Sequence, residues 1–342
     1  MKFGPVPIAD AEGAILAHSV AVGKKRLRKG LVLEADHVAA LQAAGFADVT
    51  VARLDPGDLH EDEAASRIAA ALIEGTGAGL SLSRASTGRV NLIADGPGVV
   101  LMDVARLEAV NRVNPMITVA TVPPFHQMAG GGMVATVKII SYGVSGDDVA
   151  LAADHARGTV RLARPVVPSA SLIVTEIAGG AGEKGRESIA GRLEALGMEL
   201  AEVVHVPHET GALARALGAA RGDMTLILTG SATSDPADTG PEALRQAGGQ
   251  VDRFGMPVDP GNLLFIGALD ERPVIGLPGC ARSPALNGAD WVLSRVACGL
   301  EVSDADIAAM GVGGLLKEIP TRPMPRRGKG RAKDRAASGT KS

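Results

Sequence analysis

From about residue 166 the chain alternates short, uniformly apolar runs with amphipathic segments, and few architectures accept that pattern. SLIVTEI and DMTLILTG are built on the apolar runs LIV and LIL and read as strands buried on both faces, whereas GRESIAGRLEALG, ETGALARALGAAR and PEALRQAGG carry helical spacing. MELAEVVHV, QVDRFGM, LLFIGA and RPVIGLPG supply further strands, and a closing helix is predicted from about Ser283 to Cys298. Strand and helix in alternation predict the α/β class: a three-layer, doubly wound, mostly parallel sheet over residues 166–319. Ligands bind such sheets beyond the carboxyl ends of the strands, so the loops after Thr175, Thr229 and Leu277 are the places to look for function.

The remainder of the 342 residues predicts smaller units. Residues 1–60 read as a small β-rich module whose turn carries Lys24, Lys25, Arg26, Arg28 and Lys29, taken as a solvated loop. Residues 61–165 open on the amphipathic helix EDEAASRIAAALIE and continue as an α+β domain, with His126 in a Pro/Gly-rich loop. Residues 320–342 hold eight basic side chains against the single acid Asp334, so the net charge of −3 splits into +7 for this tail and −10 for the body. With no apolar periodicity the tail is expected to be disordered.

Composition removes several function classes. Seven aromatic residues leave too few platforms for stacking bases, so nucleic acid is not the expected partner. No uninterrupted run of ~18 apolar residues crosses a membrane and no secretory signal opens the chain, which predicts a cytoplasmic protein. Cys280 and Cys298 form no C-x-x-C pair, which argues against a disulfide framework or a structural zinc site.

Three loops carry the chemistry. Gly180, Gly182 and Gly185 match G-x-G-x-x-G between a strand and a helix, but the next strand ends in His205-Val-Pro-His208 where a ribose-binding acid is expected, which weakens a dinucleotide reading. In TGSATSDPADTGPEAL the backbone N–H groups of Gly230, Ser231 and Ala232 can hold an anionic ligand, and Asp235 and Asp238 can bind Mg²⁺, with Pro241 and Glu242 opening a helix. In GLPGCARSP a strand ends in a Pro-Gly turn feeding a helix start that suits a phosphate, with Arg282 and Ser283 as further donors.

Those loops resemble the molybdopterin-binding domain shared by molybdenum-cofactor biosynthesis proteins and the competence-damage-inducible family. Thr229 to Ala243 is similar to the pattern T-G-G-T-G-x-x-P-R-D-x-T-P-E-A without a gap. Val258 to Gly267 resembles M-K-P-G-K-P-L-L-F-G, and Pro273 to Ser283 resembles the P-V-F-G-L-P-G-N-P-x-S of the molybdopterin molybdenumtransferases. The resemblance covers about residues 168–300; upstream, AGFADVTVARLDPGD is the closest stretch to the domains that precede this unit in the molybdenumtransferase branch.

The resemblance implies a molybdopterin-binding protein of molybdenum-cofactor biosynthesis that inserts molybdate into adenylylated molybdopterin, Mg²⁺ assisting loss of the adenine nucleotide. It gives Asp235 and Asp238 the catalytic and metal-binding roles, Gly230 and Ser231 the role of backbone donors, and Glu176 contact with the pterin edge. Gly279, Arg282 and Ser283 would hold the terminal phosphate, and Thr175, Thr229, Ala232, Glu242, Gly261 and Pro278 would complete the cofactor site. Ser231 replaces the second Gly of T-G-G, Ala237 an Arg, and Asp259 and Asn262 two lysines, while T-G-D-E is reduced to Thr175-Glu176. These losses favour a rival function, a carrier or insertion chaperone that delivers finished cofactor to a molybdenum hydroxylase. A nucleotide-dependent oxidoreductase using the Gly180 loop is the third reading. The resemblance also predicts a homo-oligomer, with the middle domain covering the cleft.

Overall fold

The computed structural model of the protein describes residues 1–76, 79–178 and 185–316. Its buried apolar side chains fall into four clusters. One lies within residues 8–51, one within residues 64–162, and two within residues 170–310.

In the first of these regions Lys2–Pro7 and Ile15–Leu16 flank Asp48–Arg53 in an antiparallel sheet backed by the helix Ala35–Ala43. The basic cluster sits on the hairpin Val20–Val22 and Lys25–Leu27. In the second, Arg89–Ala94, Met133–Ile139, Ile117–Thr121 and Leu80–Leu82 form an antiparallel sheet packed on the helices Glu61–Leu72, Val104–Val113 and Gly146–Ala156. Asp103 ends the strand Gly98–Met102 and caps the helix that follows by accepting from Arg106 N at 3.1 Å. That cap divides GVVLMDVARLEAVNRV into a strand and a helix.

The carboxyl-terminal region is a six-stranded sheet. Its elements are β1 (Ser169–Glu176), α1 (Arg186–Glu194), β2 (Glu199–Pro207), α2 (Thr210–Ala219), β3 (Met224–Leu228), α3 (Thr239–Gln246), β4 (Gln250–Phe254), β5 (Phe265–Leu269), β6 (Arg272–Leu277), α4 (Gly288–Ala297) and α5 (Asp304–Ala309). The strands run β2-β1-β3-β6-β5-β4, and all pairings are parallel except those of β5 with its two neighbours. Alternate residues of β1 supply both faces. Leu172 and Val174 pack with Ile189, Leu193 and Leu293 from α1 and α4, while Ile173 packs with Leu213, Leu217 and Leu244 from α2 and α3. The sheet is therefore covered on both sides, as the predominantly apolar strands require. The chain moves from β1 outward to β2, then returns across β1 to β3, which makes the β1/β3 boundary the topological switch point.

Two boundaries differ from the sequence reading. Helix α3 begins at Thr239 behind the cap Asp238, so Pro241 lies in its first turn rather than opening it; Pro is tolerated there because the missing N–H has no intrahelical acceptor. The closing helix begins at Gly288, not near Ser283. Gly279–Arg282 forms only a single 3-10 turn, and Asn287 then caps α4 by accepting from Ala289 N at 2.9 Å, with Asp290 completing a capping box. Among the described residues no helix is long and apolar enough to cross a membrane.

Candidate functional site

Register brings the three loops to one edge. Val174 pairs with Leu228 and Leu228 with Leu277, so Thr175, Thr229 and Pro278 each lie one residue further along three adjacent parallel strands. Arg282 closes the arrangement by donating from Nη2 to Thr229 O at 2.8 Å. The turns after β3 and β6 are thus joined by a hydrogen bond.

A cleft of about 920 Å³ opens beside them, between the start of α1 and the turn after β6. Gly279, Arg282 and Ser283 line it, together with Gly185, Arg186, Glu187, Ser188, Ala190 and Cys280. Gly279 faces open space. Gly185, at φ +105°, is required as glycine, since a Cβ there would sit 3.0 Å from both the Arg282 side chain and Leu228. Partial burial draws the Arg282 guanidinium below its ordinary value, which is high enough that it stays cationic. Burial raises the Cys280 thiol.

The loop after β3 is held mainly by its own polar groups. Gly230 N donates to Thr175 Oγ1 at 2.8 Å and is not turned outward to a ligand. A Cβ on Gly230 would lie 2.7 Å from Thr175 O, so the loop crosses β1 in backbone contact. Thr175 is buried, and its hydroxyl, which accepts from Gly230 N, also shares a hydrogen bond with His208 Nδ1, 2.8 Å away. The buried Thr229 hydroxyl donates to Ser231 O at 2.6 Å, and Ala232 is exposed. Glu176 is exposed and lies 2.8 Å from His205 Nδ1; Glu242 pairs with Arg245 at 3.3 Å. Gly261, at φ +142°, approaches the first turn of α4, where a Cβ would meet Gly288 N at 2.7 Å; it is a packing position. Pro278 is buried and caps the 3-10 turn.

Asp238 and Asp235 are bound into the loop as well. Asp238 accepts from Ser234 N through Oδ2 at 2.9 Å and from Thr239 N through Oδ1 at 2.7 Å. Asp235 accepts from Ala237 N at 2.8 Å. Among the described residues no three His, Cys, Asp or Glu side chains gather as a metal-binding group.

The N–H groups of Ser234 and Thr239 hold the Asp238 carboxyl below its ordinary value of 3.8. A carboxyl depressed in the folded state adds stability at pH values above its unfolded pKa and loses that contribution as pH falls through the folded one. Asp238→Ala is accordingly expected to lower stability by about 1 kcal/mol at neutral pH, the usual worth of a helix cap. Urea melts of wild type and variant should converge as the pH drops below 4.

Gly180 and Gly182 lie outside the described residues, as does the basic tail. Sequence reading missed Ser188 and Arg192 of α1, which hold the turn after β6 from beneath. Their signal is only an i, i+4 spacing on a surface-like helix, and their partners lie about ninety residues away.

The fold is that of an α/β domain whose strand-end loops gather at one edge of its sheet. Residues 172–295, a little over a third of the chain, match the family model described as a probable molybdopterin binding domain. Residues 5–53 match a domain of unknown function. No curated protein sequence matches the chain. Among solved structures it is similar to the molybdopterin biosynthesis MoeA protein from Pyrococcus horikosii, at 15% identity over 87% of this chain and 75% of that one, with a TM-score of 0.31. A second is a molybdenum cofactor biosynthesis protein from Pyrococcus furiosus, at 13% identity over 90% of this chain and 65% of that one, with a TM-score of 0.25.

Proposed function

We propose that the carboxyl-terminal domain binds molybdopterin, the terminal phosphate lying in the cleft between α1 and the turn after β6, and that the protein acts in molybdenum-cofactor biosynthesis. The observation that supports this most is the position of that cleft. It lies on the edge where β1, β3 and β6 end in register, with Arg186 and Arg282 as cations and Ser283 as a hydroxyl group. A phosphate needs cationic and neutral donors around it, and these residues fit one. Glu176, the last residue of β1, is the group suited to a polar pterin edge.

Molybdenumtransferase-like turnover, with molybdate as substrate and an adenine nucleotide leaving, is the reaction that the order of the loop motifs favours. In it the chain's own residues bind and orient: Arg282 and Ser283 hold the phosphate and the tethered Gly230 loop fixes the edge of β3. A carrier that delivers finished cofactor to a molybdenum hydroxylase is favoured by a different observation. The groups that turnover would use, Gly230 N–H and the Asp238 carboxylate, are engaged inside the protein, and Asp259 and Asn262 stand at the lysine positions. Release of nucleotide on adding adenylylated molybdopterin and molybdate supports the enzyme; tight binding without release supports the carrier.

Cys280 gives a test of binding itself. It lines the cleft, whereas Cys298 is buried with its thiol pushed up to about 11. Since thiolate is the reactive form, a disulfide reagent at pH 8 should modify Cys280 slowly and Cys298 only on unfolding. Molybdopterin is expected to slow the modification of Cys280. Labelling of Cys280 that is indifferent to saturating molybdopterin contradicts the placement.

A further inference from the structure

Two side chains on one face of α1 take up the carbonyl oxygens of the turn after β6. Ser188 Oγ donates to Arg282 O at 3.0 Å. Arg192 donates from Nη1 to Ala281 O at 3.0 Å, and from Nη2 to Ser283 O at 2.8 Å and Ala285 O at 3.1 Å. Its other donors reach Ser188 O at 3.1 Å and Asp290 Oδ1 at 2.5 Å. Asp290 in turn accepts from Asn287 N at 2.8 Å, which ties the guanidinium to the start of α4. The side chains of Arg192 and Asp290 are only 10% and 14% exposed.

This arrangement has an electrostatic consequence for the cleft. Carbonyl oxygens carry partial negative charge, and a turn free to rotate its peptide planes can present them to an incoming phosphate and repel it. Here four carbonyls between residues 281 and 285 are bound by α1, and Arg192, which holds three of them, does not line the cleft. Those three face away from the place assigned to the phosphate, and the peptide planes that carry Arg282 and Ser283 are fixed. A planar guanidinium can do this because its five donors leave in a rigid fork; an ammonium has three on a flexible stem.

The geometry points to Arg192 as a positioning residue for phosphate recognition, assisted by Ser188: it touches no ligand, and makes the turn after β6 accept a terminal phosphate by holding its carbonyls out of the cleft. This rests on the reading of the cleft as a phosphorylated-pterin site. Its specific consequence is that Arg192 governs discrimination between phosphorylated and unphosphorylated pterins rather than pterin binding as a whole.

The test uses two fluorescent probes, neopterin monophosphate and neopterin, titrated into the full-length protein. Wild type is expected to prefer the phosphorylated probe. Arg192→Lys, which keeps the charge and loses the fork, is expected to bind it about tenfold more weakly, the effect of one charge-assisted contact, with affinity for neopterin unchanged. Ser188→Ala removes one neutral bond and is expected to reduce discrimination by about threefold. A merely structural role for Arg192 lowers affinity for both probes in the same proportion, and that result overturns the proposal, as does a lysine variant that discriminates like wild type. Should Arg192→Lys fail to fold, Ser188→Ala decides: unchanged discrimination overturns the proposal. Wild type binding neither probe overturns the pterin reading and this proposal together, whereas wild-type binding with unaltered variants overturns this proposal alone.

Discussion

Arg282→Ala is expected to weaken molybdopterin binding by about 10- to 100-fold, the loss that follows from removing a charge-assisted hydrogen bond worth roughly 1.5–3 kcal/mol. Arg282 serves the site twice. It faces the cleft beside Ser283 and Gly279, and it holds the loop after β3 through Thr229 O. Arg282→Lys should recover only part of the affinity, because a single ammonium cannot donate to a carbonyl and a phosphate with the geometry of a fork. Salt dependence is a second signature: wild-type affinity falls with ionic strength, and the alanine variant should show a shallower dependence. Equilibrium titrations of the three proteins at two salt concentrations measure both effects, and an alanine variant with wild-type affinity would remove Arg282 from the site.

Gly276→Val is expected to be the most damaging single substitution to the fold. Gly276 lies on the central strand β6, directly across from Phe265 of β5, and a Cβ built on it falls 1.9 Å from the Phe265 ring. Phe265 is almost wholly buried, and the same ring approaches Gly240 in the first turn of α3, so it has nowhere to withdraw. Forcing extra atoms into such a core costs about 3 kcal/mol or more, which for a domain of this size lowers Tm by about 10 °C. The damage should be local in cause. Adding Phe265→Ala to Gly276→Val is expected to restore part of the stability, because the ring and the new side chain compete for one space. Thermal melts of the two single variants and the double variant give the coupling directly, and strictly additive losses would mean that the strain lies elsewhere.

Most of this architecture is legible in the chain because its determinants are local. A predominantly apolar run such as Met224–Leu228 has little choice but a doubly covered strand, and the glycine-rich segments after Thr175, Thr229 and Leu277 follow strands by spacing alone. Strand order is not local, and the convergence of Gly230 with Gly279 depends on β1, β3 and β6 being neighbours. The order of the loop motifs signalled that convergence; composition did not.

What stayed hidden was the use made of each polar group. Asp238 has the residue type and spacing of a metal ligand, and it also has those of a helix cap: Oδ1 takes Thr239 N at the start of α3, while Oδ2 takes Ser234 N in the loop before it. Gly230 N–H reads as a free donor until Thr175 is found beneath it. The helix expected from Ser283 is delayed to Gly288 because Arg192 and Ser188 hold the intervening carbonyls and Asn287 caps only afterwards. For Gly230 and for the turn after β6, a partner remote in sequence decided between two local roles.

Amide hydrogen exchange, followed peptide by peptide with and without saturating molybdopterin, tests the central claim most directly. Slowing is predicted at residues 185–190 and 279–283, with a smaller effect at the end of β3. Unchanged exchange in those peptides, or protection confined to another part of the protein, would contradict the assignment of the cleft.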